Sequence, residues 1–216
     1  MSPLILVADD HPVVVMGIRM ALSNSRYASS ITAEAVSTDE LIQLLKQQHC
    51  DVLITDFSMP NGNFPDGMVL IKHMRSHFAT LKIIVITMLS NPLILHEILK
   101  TGVHGLFDKH QPLEGLISAI TRVAKGNTYI SDTFSNVLAS PLRGDTRHKP
   151  LTGRELEVLR LFGQNRSGRE IAAHLNRSEK TISRQKRMAM QKLGVRGNSD
   201  LTEYIRKYEL SGAHDY

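Results

Sequence analysis

The sequence is poor in cysteine and in aromatic residues, with one cysteine, Cys50, and no tryptophan. A single cysteine can form neither an intramolecular disulfide nor a cysteine-based zinc site, and this usage is typical of a reducing cytosol. There is also no apolar run of the ~18 residues that a membrane helix needs. The first apolar run, residues 4–8, lacks a basic flank and ends in two aspartates, unlike a signal peptide. These absences predict a soluble cytoplasmic protein with no membrane partner.

The composition places the chain among globular proteins. Hydrophobic residues make up 42% and charged residues 22%, with 14 glycines and 8 prolines. These values exclude the disordered, collagen-like and coiled-coil classes. The 216 residues fit one large domain or two small ones, and we expect two.

The net charge of +5 is distributed unevenly. Residues 1–150 carry 13 basic and 13 acidic side chains, whereas residues 151–210 carry 13 basic and 7 acidic ones. A neutral region followed by a basic block of net charge +6 is typical of a module that binds a polyanion, most simply DNA. A solvated basic surface explains the charge equally well at this point.

Over the first 125 residues, short β-branched apolar runs alternate with segments of helical period. Five such strand–helix repeats, with strands apolar on both faces, predict a doubly wound α/β domain with a five-stranded parallel sheet. The predicted strands are residues 4–8, 31–36, 52–55, 83–87 and 104–107.

The chain after residue 125 changes character. Residues 126–150 read as a linker, with a short helix at about 131–139 followed by a segment rich in breakers. From residue 151 to 210 only helices are predicted, and 211–216 are a tail. Helix starts are indicated by the S/T-x-x-E spacings of Thr152 and Ser167, by Ser178, and by Asn198 or Ser199 ahead of Leu201. These starts predict four short helices.

Polar residues follow several of the predicted strands. Because ligands bind at the carboxyl ends of strands in such sheets, we expect these residues to converge on one edge. They are Asp9, Asp10, Asp56, Thr87 and Lys109. Clustered carboxylates repel one another unless a hard cation neutralises them, and Mg²⁺ is the usual ion.

With Mg²⁺ bound, Asp56 would remain ionised and could attack phosphorus to form an aspartyl phosphate, while Thr87 and Lys109 bind the phosphoryl oxygens. Taken singly, each aspartate is more often a helix cap and a lone lysine is more often solvated. Five such residues at the proper strand ends favour the phosphoryl site. The histidines, including His11, have no metal-ligand spacing and are expected to be surface or packing residues.

The sequences Ala8-Asp9-Asp10-His11-Pro12 and Asp56-Phe57-Ser58-Met59-Pro60, with Thr87 and Lys109, resemble the receiver domain of bacterial two-component response regulators. The resemblance covers about residues 3–125. It implies a flavodoxin-like fold in which Asp56 is the phosphoacceptor for a phosphohistidine. It also implies that Asp10, Asp56 and the Ser58 carbonyl bind Mg²⁺ directly, that Asp9 acts through water, and that Thr87 moves towards the phosphoryl group.

Two positions depart from the family pattern. Leu106 stands where a switch aromatic is common, and Met88 stands where a smaller residue is usual, next to the phosphoryl site. The five-residue segment 61–65 is also longer than in most receivers. This loop, with Thr87 and Met88, is similar to the RcsB group of regulators, which phosphorelays serve.

The segment 168–193 has the pattern of a helix-turn-helix, with helices at about 168–175 and 179–193. Lys180, Ser183 or Arg184, and Arg187 share one face of the second helix, and apolar residues lie opposite. Such a helix can enter the major groove of DNA. The alternative at this point is an amphipathic surface helix with a charged outer face.

The sequences Leu151-Thr152-Gly153-Arg154-Glu155-Leu156-Glu157-Val158-Leu159, Glu170-Ile171-Ala172, Thr181-Ile182-Ser183 and Lys192-Leu193-Gly194-Val195 resemble the LuxR-type DNA-binding domain. The resemblance implies an all-α four-helix domain that binds DNA as a dimer, with the fourth helix, at about 199–208, commonly at the dimer contact. The DNA contacts it implies are Lys180, Thr181, Ser183, Arg184 and Arg187, with Lys192 towards the DNA backbone.

Together the two resemblances predict a response-regulator transcription factor of the NarL/FixJ family and not an enzyme. The implied partners are DNA, a sensor histidine kinase or histidine phosphotransfer protein, a second copy of the chain, an auxiliary LuxR-type protein and RNA polymerase. One alternative is a DNA-binding regulator controlled by partner subunits without phosphorylation. A remote alternative is a Mg²⁺-dependent aspartyl-phosphate phosphohydrolase, but such enzymes need a second aspartate where this chain has Ser58.

Overall fold

A parallel β-sheet forms the centre of the N-terminal part of the chain in the computed structural model. The structure describes residues 2–59, 61–139, 151–193, 195 and 197–207. All strand pairs are parallel, in the order β2-β1-β3-β4-β5-β6. The strands are β1 (Ile5–Ala8), β2 (Ile31–Ala35), β3 (Val52–Asp56), β4 (Lys82–Thr87), β5 (Gly105–Asp108) and β6 (Tyr129–Ile130).

The predicted doubly wound α/β architecture is confirmed. Strands β1, β3 and β5 are buried along their whole length, because helices cover both faces of the sheet. One face packs Val7 and Ile54 against Ile18 and Ile120 of two helices. The helices between the strands are α1 (Pro12–Ser23), α2 (Thr38–Gln47), α3 (Gly67–His77), α4 (Pro92–Lys100) and α5 (Gly115–Ala124).

All five predicted strands are present, and the sheet has a sixth strand that the sequence did not predict. Strand β6 pairs with β5 through Gly105–Tyr129 and Leu106–Ile130. Two residues are too short to show a strand period in the sequence. The Tyr129 ring also stacks on Phe107, with 6.3 Å between ring centroids. The apolar contact and the ladder bonds of β5 thus create a strand that local propensity does not indicate.

A cluster of hydrogen bonds joins the end of β5 to helix α6 (Asp132–Ala139). The Asp108 carboxylate is buried and accepts from the Thr133 hydroxyl at 2.6 Å and from the His110 backbone N–H at 2.9 Å. The Asp108 N–H donates to the Ser131 hydroxyl at 3.1 Å. The start of α6 is therefore bound to the residue that precedes Lys109.

The C-terminal part of the chain is helical, as predicted. Both predicted capping boxes are present, at Thr152–Glu155 and Ser167–Glu170, because each pair satisfies backbone N–H groups reciprocally. The described helices are α7 (Gly153–Gly163), α8 (Gly168–His174), α9 (Glu179–Leu193) and α10 (Asn198–Lys207). The core lies between α7, α8 and α9, around Val158, Ile171 and Ile182.

The turn between α8 and α9 passes through Asn176, whose φ is +51°. Asparagine tolerates this left-handed conformation better than most residues. Ser178 then accepts from the Thr181 N–H at 3.2 Å and caps α9. This is the connection of a helix-turn-helix.

The chain divides into two compact units, Met1–Met88 with Ile98–Asn136, and Leu89–Glu97 with Val137–Tyr216. Residues 140–150 of the predicted linker, and the predicted tail at 211–216, lie outside the described residues. Within the part of the chain that the structure describes, none of the helices has the length and apolarity needed to cross a membrane.

Candidate functional site

The carboxyl ends of β1 and β3 bring three aspartates together. Ala8 pairs with Thr55 in the parallel ladder, so Asp9 and Asp56 follow neighbouring positions on adjacent strands. One ligand atom each from Asp9, Asp10, His11 and Asp56 lies within 4.8 Å of the others. Asp9 and Asp56 are buried, and the Asp10 side chain is 7% exposed. The structure therefore joins the three predicted acidic residues in one cluster.

Lys109 is the cation of this cluster. Its Nζ lies 2.7 Å from Asp9 Oδ2 and 2.7 Å from Asp56 Oδ2. The Lys109 N–H also donates to the Thr87 carbonyl at 3.0 Å, which fixes the loop after β5 beside the end of β4. One ammonium group thus bridges two buried carboxylates.

Burial and charge shift the pKa values of these groups. Burial raises the pKa of Asp56 above its ordinary value, despite Lys109. Burial also raises the pKa of Asp10, and neighbouring Asp9 adds to this. Burial acts to lower the pKa of Lys109, but Asp56 and Asp9 outweigh it and the net shift is upward. The carboxylates therefore favour additional positive charge.

For two residues of the cluster, His11 and Ser58, the structure shows contacts that were not predicted from the sequence. His11, expected to be a surface or packing residue, places Nδ1 3.3 Å from Asp9 Oδ1 and 3.0 Å from Asp10 Oδ1. The backbone N–H of Ser58 donates to the Asp56 carboxylate. The only sequence signal for His11 was its position directly after the acidic pair.

Thr87 and Leu106 both lie inside the domain. Thr87 is the last residue of β4, is buried, and pairs in register with Asp108 of β5. Leu106 is fully buried in β5 between Val85 of β4 and Ile130 of β6. Thr87 is thus at the edge that holds the acidic cluster, whereas Leu106 is a core residue.

The acidic cluster has the donor set that a hard divalent cation prefers. It offers several carboxylate oxygens close together, in a site shielded from water, and Mg²⁺ binds such oxygens. Asp56 is also placed as a nucleophile, with Lys109 beside it to stabilise negative charge on an attacked group. The arrangement fits phosphoryl transfer to a carboxylate.

A polar surface on α9 contains the predicted DNA contacts. Lys180, Ser183, Arg184 and Arg187 are exposed or partly exposed, and Thr181 is half-buried. On the same helix Ile182 and Ala189 are buried. The helix therefore has one apolar side in the core and one polar side facing solvent.

Lys192 differs from the other predicted contacts. Its Nζ lies 2.6 Å from Glu155 Oε2, and the two side chains are only 15% and 8% exposed. Glu155 also accepts from the Thr152 N–H at 2.7 Å within the α7 capping box. Lys192 therefore ties the end of α9 to the start of α7, a role that the sequence did not indicate.

Comparisons with known proteins match the N-terminal and the C-terminal parts of the chain to two different families. The family described as "Response regulator receiver domain" matches residues 5–121, and "Bacterial regulatory proteins, luxR family" matches residues 149–205. The fold, the acidic cluster and the helix-turn-helix thus define a response regulator, with a receiver domain and a LuxR-type DNA-binding domain.

Full-length relatives place the chain within that class. The transcriptional regulatory protein RcsB of Escherichia coli strain K12 is 39% identical over 209 residues, 97% of this chain and 96% of the relative. The oxygen regulatory protein NreC of Staphylococcus carnosus is 34% identical over 215 residues, which cover 95% of this chain and 98% of the relative. This chain belongs to the NarL/FixJ family of response regulators, which are transcriptional regulators rather than enzymes.

A solved structure is similar over the whole chain. It shows RcsB from Salmonella enterica serovar Typhimurium bound to promoter P1flhDC in the presence of the phosphomimetic BeF3⁻. It is 38% identical, covers 96% of this chain and 100% of its own, and has a TM-score of 0.82.

Proposed function

We propose that Asp56 accepts a phosphoryl group and that this event controls DNA binding by α9. The observation that carries the first step is the buried Asp56 carboxylate, 2.7 Å from Lys109 and clustered with Asp9 and Asp10. Asp56 attacks the phosphorus of a phosphohistidine, so that the P–O bond forms as the P–N bond breaks. The donor imidazole leaves with that electron pair and takes up a proton.

The residues that would hold Mg²⁺ are Asp10, Asp56 and the backbone carbonyl of Ser58, with Asp9 acting through water. When bound, the ion would neutralise the carboxylates and supply positive charge that stabilises a phosphoryl oxygen. Lys109 stabilises the charge on a second oxygen, and the Thr87 hydroxyl binds a third. Leu106, being fixed in the core, leaves Thr87 as the residue that signals the phosphoryl group.

The DNA interface that we propose is the polar side of α9, formed by Lys180, Thr181, Ser183, Arg184 and Arg187. Arginine reads guanine in the major groove, and lysine and hydroxyl groups contact phosphates. Lys192, whose ammonium binds Glu155, is left out of this interface. A solved structure of two RcsB dimers bound to two parallel DNAs supports binding by a dimer of this chain.

The partners follow from this function. A histidine kinase or phosphotransfer protein supplies the phosphoryl group, and RNA polymerase reads the outcome at the promoter. An auxiliary LuxR-type subunit would bind in place of the second copy. A chain that meets DNA and a cytosolic phosphodonor works in the cytoplasm.

Labelling with acetyl phosphate tests the phosphoacceptor. In the presence of Mg²⁺, intact mass should rise by one phosphoryl group that is stable in acid and lost in base. Asp56→Asn should remain unlabelled, and Asp51→Asn, a surface aspartate of the same domain, is the control that should label normally. Equal labelling of Asp56→Asn would refute the assignment.

The same protein preparations test the alternative in which partner subunits control DNA binding without phosphorylation. Binding to promoter P1flhDC, the DNA in the RcsB structure, is measured before and after labelling. Phosphorylation should tighten binding by the wild type and leave Asp56→Asn unchanged. Identical affinities for labelled and unlabelled wild type would favour control by partner subunits.

A further inference from the structure

The segment 61–66, between β3 and α3, is held against the N-terminus of α2. The Asp39 carboxylate accepts three hydrogen bonds from it, from the Asn63 backbone N–H at 2.6 Å, the Asn63 side-chain amide at 3.2 Å and the Phe64 N–H at 3.2 Å. The Thr38 hydroxyl donates to the Phe64 carbonyl at 2.7 Å. Two adjacent residues of α2 thus satisfy most of the polar groups at the centre of this loop.

Further contacts restrict the loop at both ends. The Phe64 ring packs on His73 of α3, with 4.7 Å between ring centroids. Asp66 accepts from the Met59 N–H at 2.8 Å. At Gly62, a Cβ atom would overlap the Thr38 hydroxyl, so only glycine allows this approach to α2. The loop is therefore a specific structure built on α2 and α3.

One residue of the loop reaches the acidic cluster. The Asn61 side-chain amide points at Asp10 Oδ2 across 3.5 Å. The other oxygen of Asp10, Oδ1, lies 3.0 Å from His11. Asn61 is exposed, whereas the Asp10 side chain is only 7% exposed. The amide therefore lies at the solvent side of a carboxylate that is otherwise enclosed.

We propose that Asp39 and Asn61 are positioning residues for the acidic site. Asp39 holds the loop in place, and the loop holds the Asn61 amide against Asp10. This contact fixes the orientation of the Asp10 carboxylate towards the cation that it would bind. The inference rests on the proposed function, because it assigns the loop to the same site.

Groups that orient a metal-binding carboxylate commonly contribute to metal affinity. Asn61 contacts Asp10 directly, whereas Asp39 acts on Asp10 only through the loop that carries Asn61. The effects of the two substitutions on Mg²⁺ affinity should therefore not be additive. Asn61→Ala should weaken Mg²⁺ binding by about tenfold, the lower end of such effects. Asp39→Ala should weaken it to a similar degree, and the double variant should be no weaker than Asn61→Ala alone.

The test uses the full chain and two readouts. The first is the Mg²⁺ concentration at half of the Mg²⁺-dependent rise in unfolding temperature, which needs no phosphorylation. The second is the Mg²⁺ concentration for half-maximal labelling by acetyl phosphate. Both should rise in the variants, while the labelling rate at saturating Mg²⁺ stays close to that of the wild type. Glu34→Ala, which removes another carboxylate from the same domain surface, should leave both values unchanged.

Hydrogen exchange separates the two steps of the proposal. In Asp39→Ala the amides of Asn63 and Phe64 should lose protection, and in Asn61→Ala they should keep it. Asp39→Asn, which retains one acceptor oxygen, should restore part of the protection and of the Mg²⁺ affinity.

The outcomes distinguish this inference from the proposed function. If the wild type shows no Mg²⁺ dependence in either readout, the proposed function itself fails. If the wild type binds Mg²⁺ and Asn61→Ala and Asp39→Ala bind it equally well, only the positioning role is refuted. Additive losses in the double variant would also refute it, because Asp39 would then act by a route other than Asn61.

Discussion

Replacing Lys192 with methionine tests whether the ion pair with Glu155 holds the DNA-binding domain together. The substitution keeps most of the aliphatic side chain and removes the ammonium that lies 2.6 Å from Glu155 Oε2. Removing one partner of a buried ion pair costs about 3–5 kcal/mol, because the other charge stays buried. Here Lys192 is 15% exposed, and Glu155 keeps the Thr152 N–H. We therefore expect a loss of about 2 kcal/mol, below that range.

Hydrogen exchange of the full-length protein measures this loss within the domain. Amides of α7 and α9 that exchange by unfolding of the domain should exchange about 30-fold faster in Lys192→Met, the factor that corresponds to 2 kcal/mol. Lys180→Met removes the same charge from an exposed position on the same helix, and should change stability by less than about 0.5 kcal/mol. If Lys192→Met and Lys180→Met exchanged at the same rate, the contact between Lys192 and Glu155 would add nothing to the effect of removing one positive charge from α9.

The pH dependence gives an independent check on the same pair. Burial acts to raise the pKa of Glu155, but hydrogen bonds from Lys192 and Thr152 outweigh it, and the net pKa is lowered. A lowered pKa stabilises the fold above the ordinary pKa of glutamate, about 4.3, and this contribution is lost as the pH falls through the folded-state value. The stability difference between wild type and Lys192→Met should therefore be full at pH 7 and shrink below about pH 4. A difference that is constant with pH would refute the electrostatic explanation.

Arg187→Ala should weaken binding to operator DNA by about 1–3 kcal/mol if Arg187 contacts a base, whereas Lys125→Ala in the receiver should have no effect; equal affinities in a gel-shift titration would count against α9 as the helix that contacts the bases. Wild-type affinity should also fall steeply as salt rises from 50 to about 200 mM, because phosphate contacts release counterions. We expect the titration of His104 to lower the free energy of unfolding of the receiver as the pH falls. Burial and nearby basic side chains lower the pKa of His104. The neutral ring is also used in the fold, because its Nδ1 accepts from the Ile83 N–H at 3.2 Å. This contribution is complete above about pH 6.5 and is lost as the pH falls through the lower folded-state pKa. His104→Asn, which keeps an acceptor without titrating, should flatten the dependence of the urea midpoint between pH 8 and pH 5, and an unchanged slope would exclude His104 as the cause.

The sequence was sufficient to predict where the acidic cluster forms. Asp9, Asp10 and Asp56 each follow or end a strand whose apolar pattern is strong, and parallel pairing places strand ends at the same edge of the sheet. The helix starts at Thr152 and Ser167 were equally accessible, because a capping box is a local pattern of four residues.

Features that depend on contacts between distant parts of the chain were not accessible. Strand β6 exists because the edge of β5 and the Phe107 ring are available to it, and neither is visible in two residues of sequence. The pairing of Lys192 with Glu155 joins residues 37 positions apart. A lysine near the end of a basic helix looks the same in sequence whether it faces DNA or a buried carboxylate.

The hydrogen bonds of Asp108 determine where the receiver can be cut from the rest of the chain. A fragment ending at residue 125, where the helical pattern of the α/β repeats stops, would remove Ser131 and Thr133 from Asp108 and expose the edge of β5. A fragment that continues through α6 keeps both hydroxyl groups and the sixth strand. Phosphorylation measured on a receiver truncated at residue 125 would therefore report on an altered site. In that fragment Asp108, the buried residue directly before Lys109, would have lost its hydrogen bonds with Ser131 and Thr133.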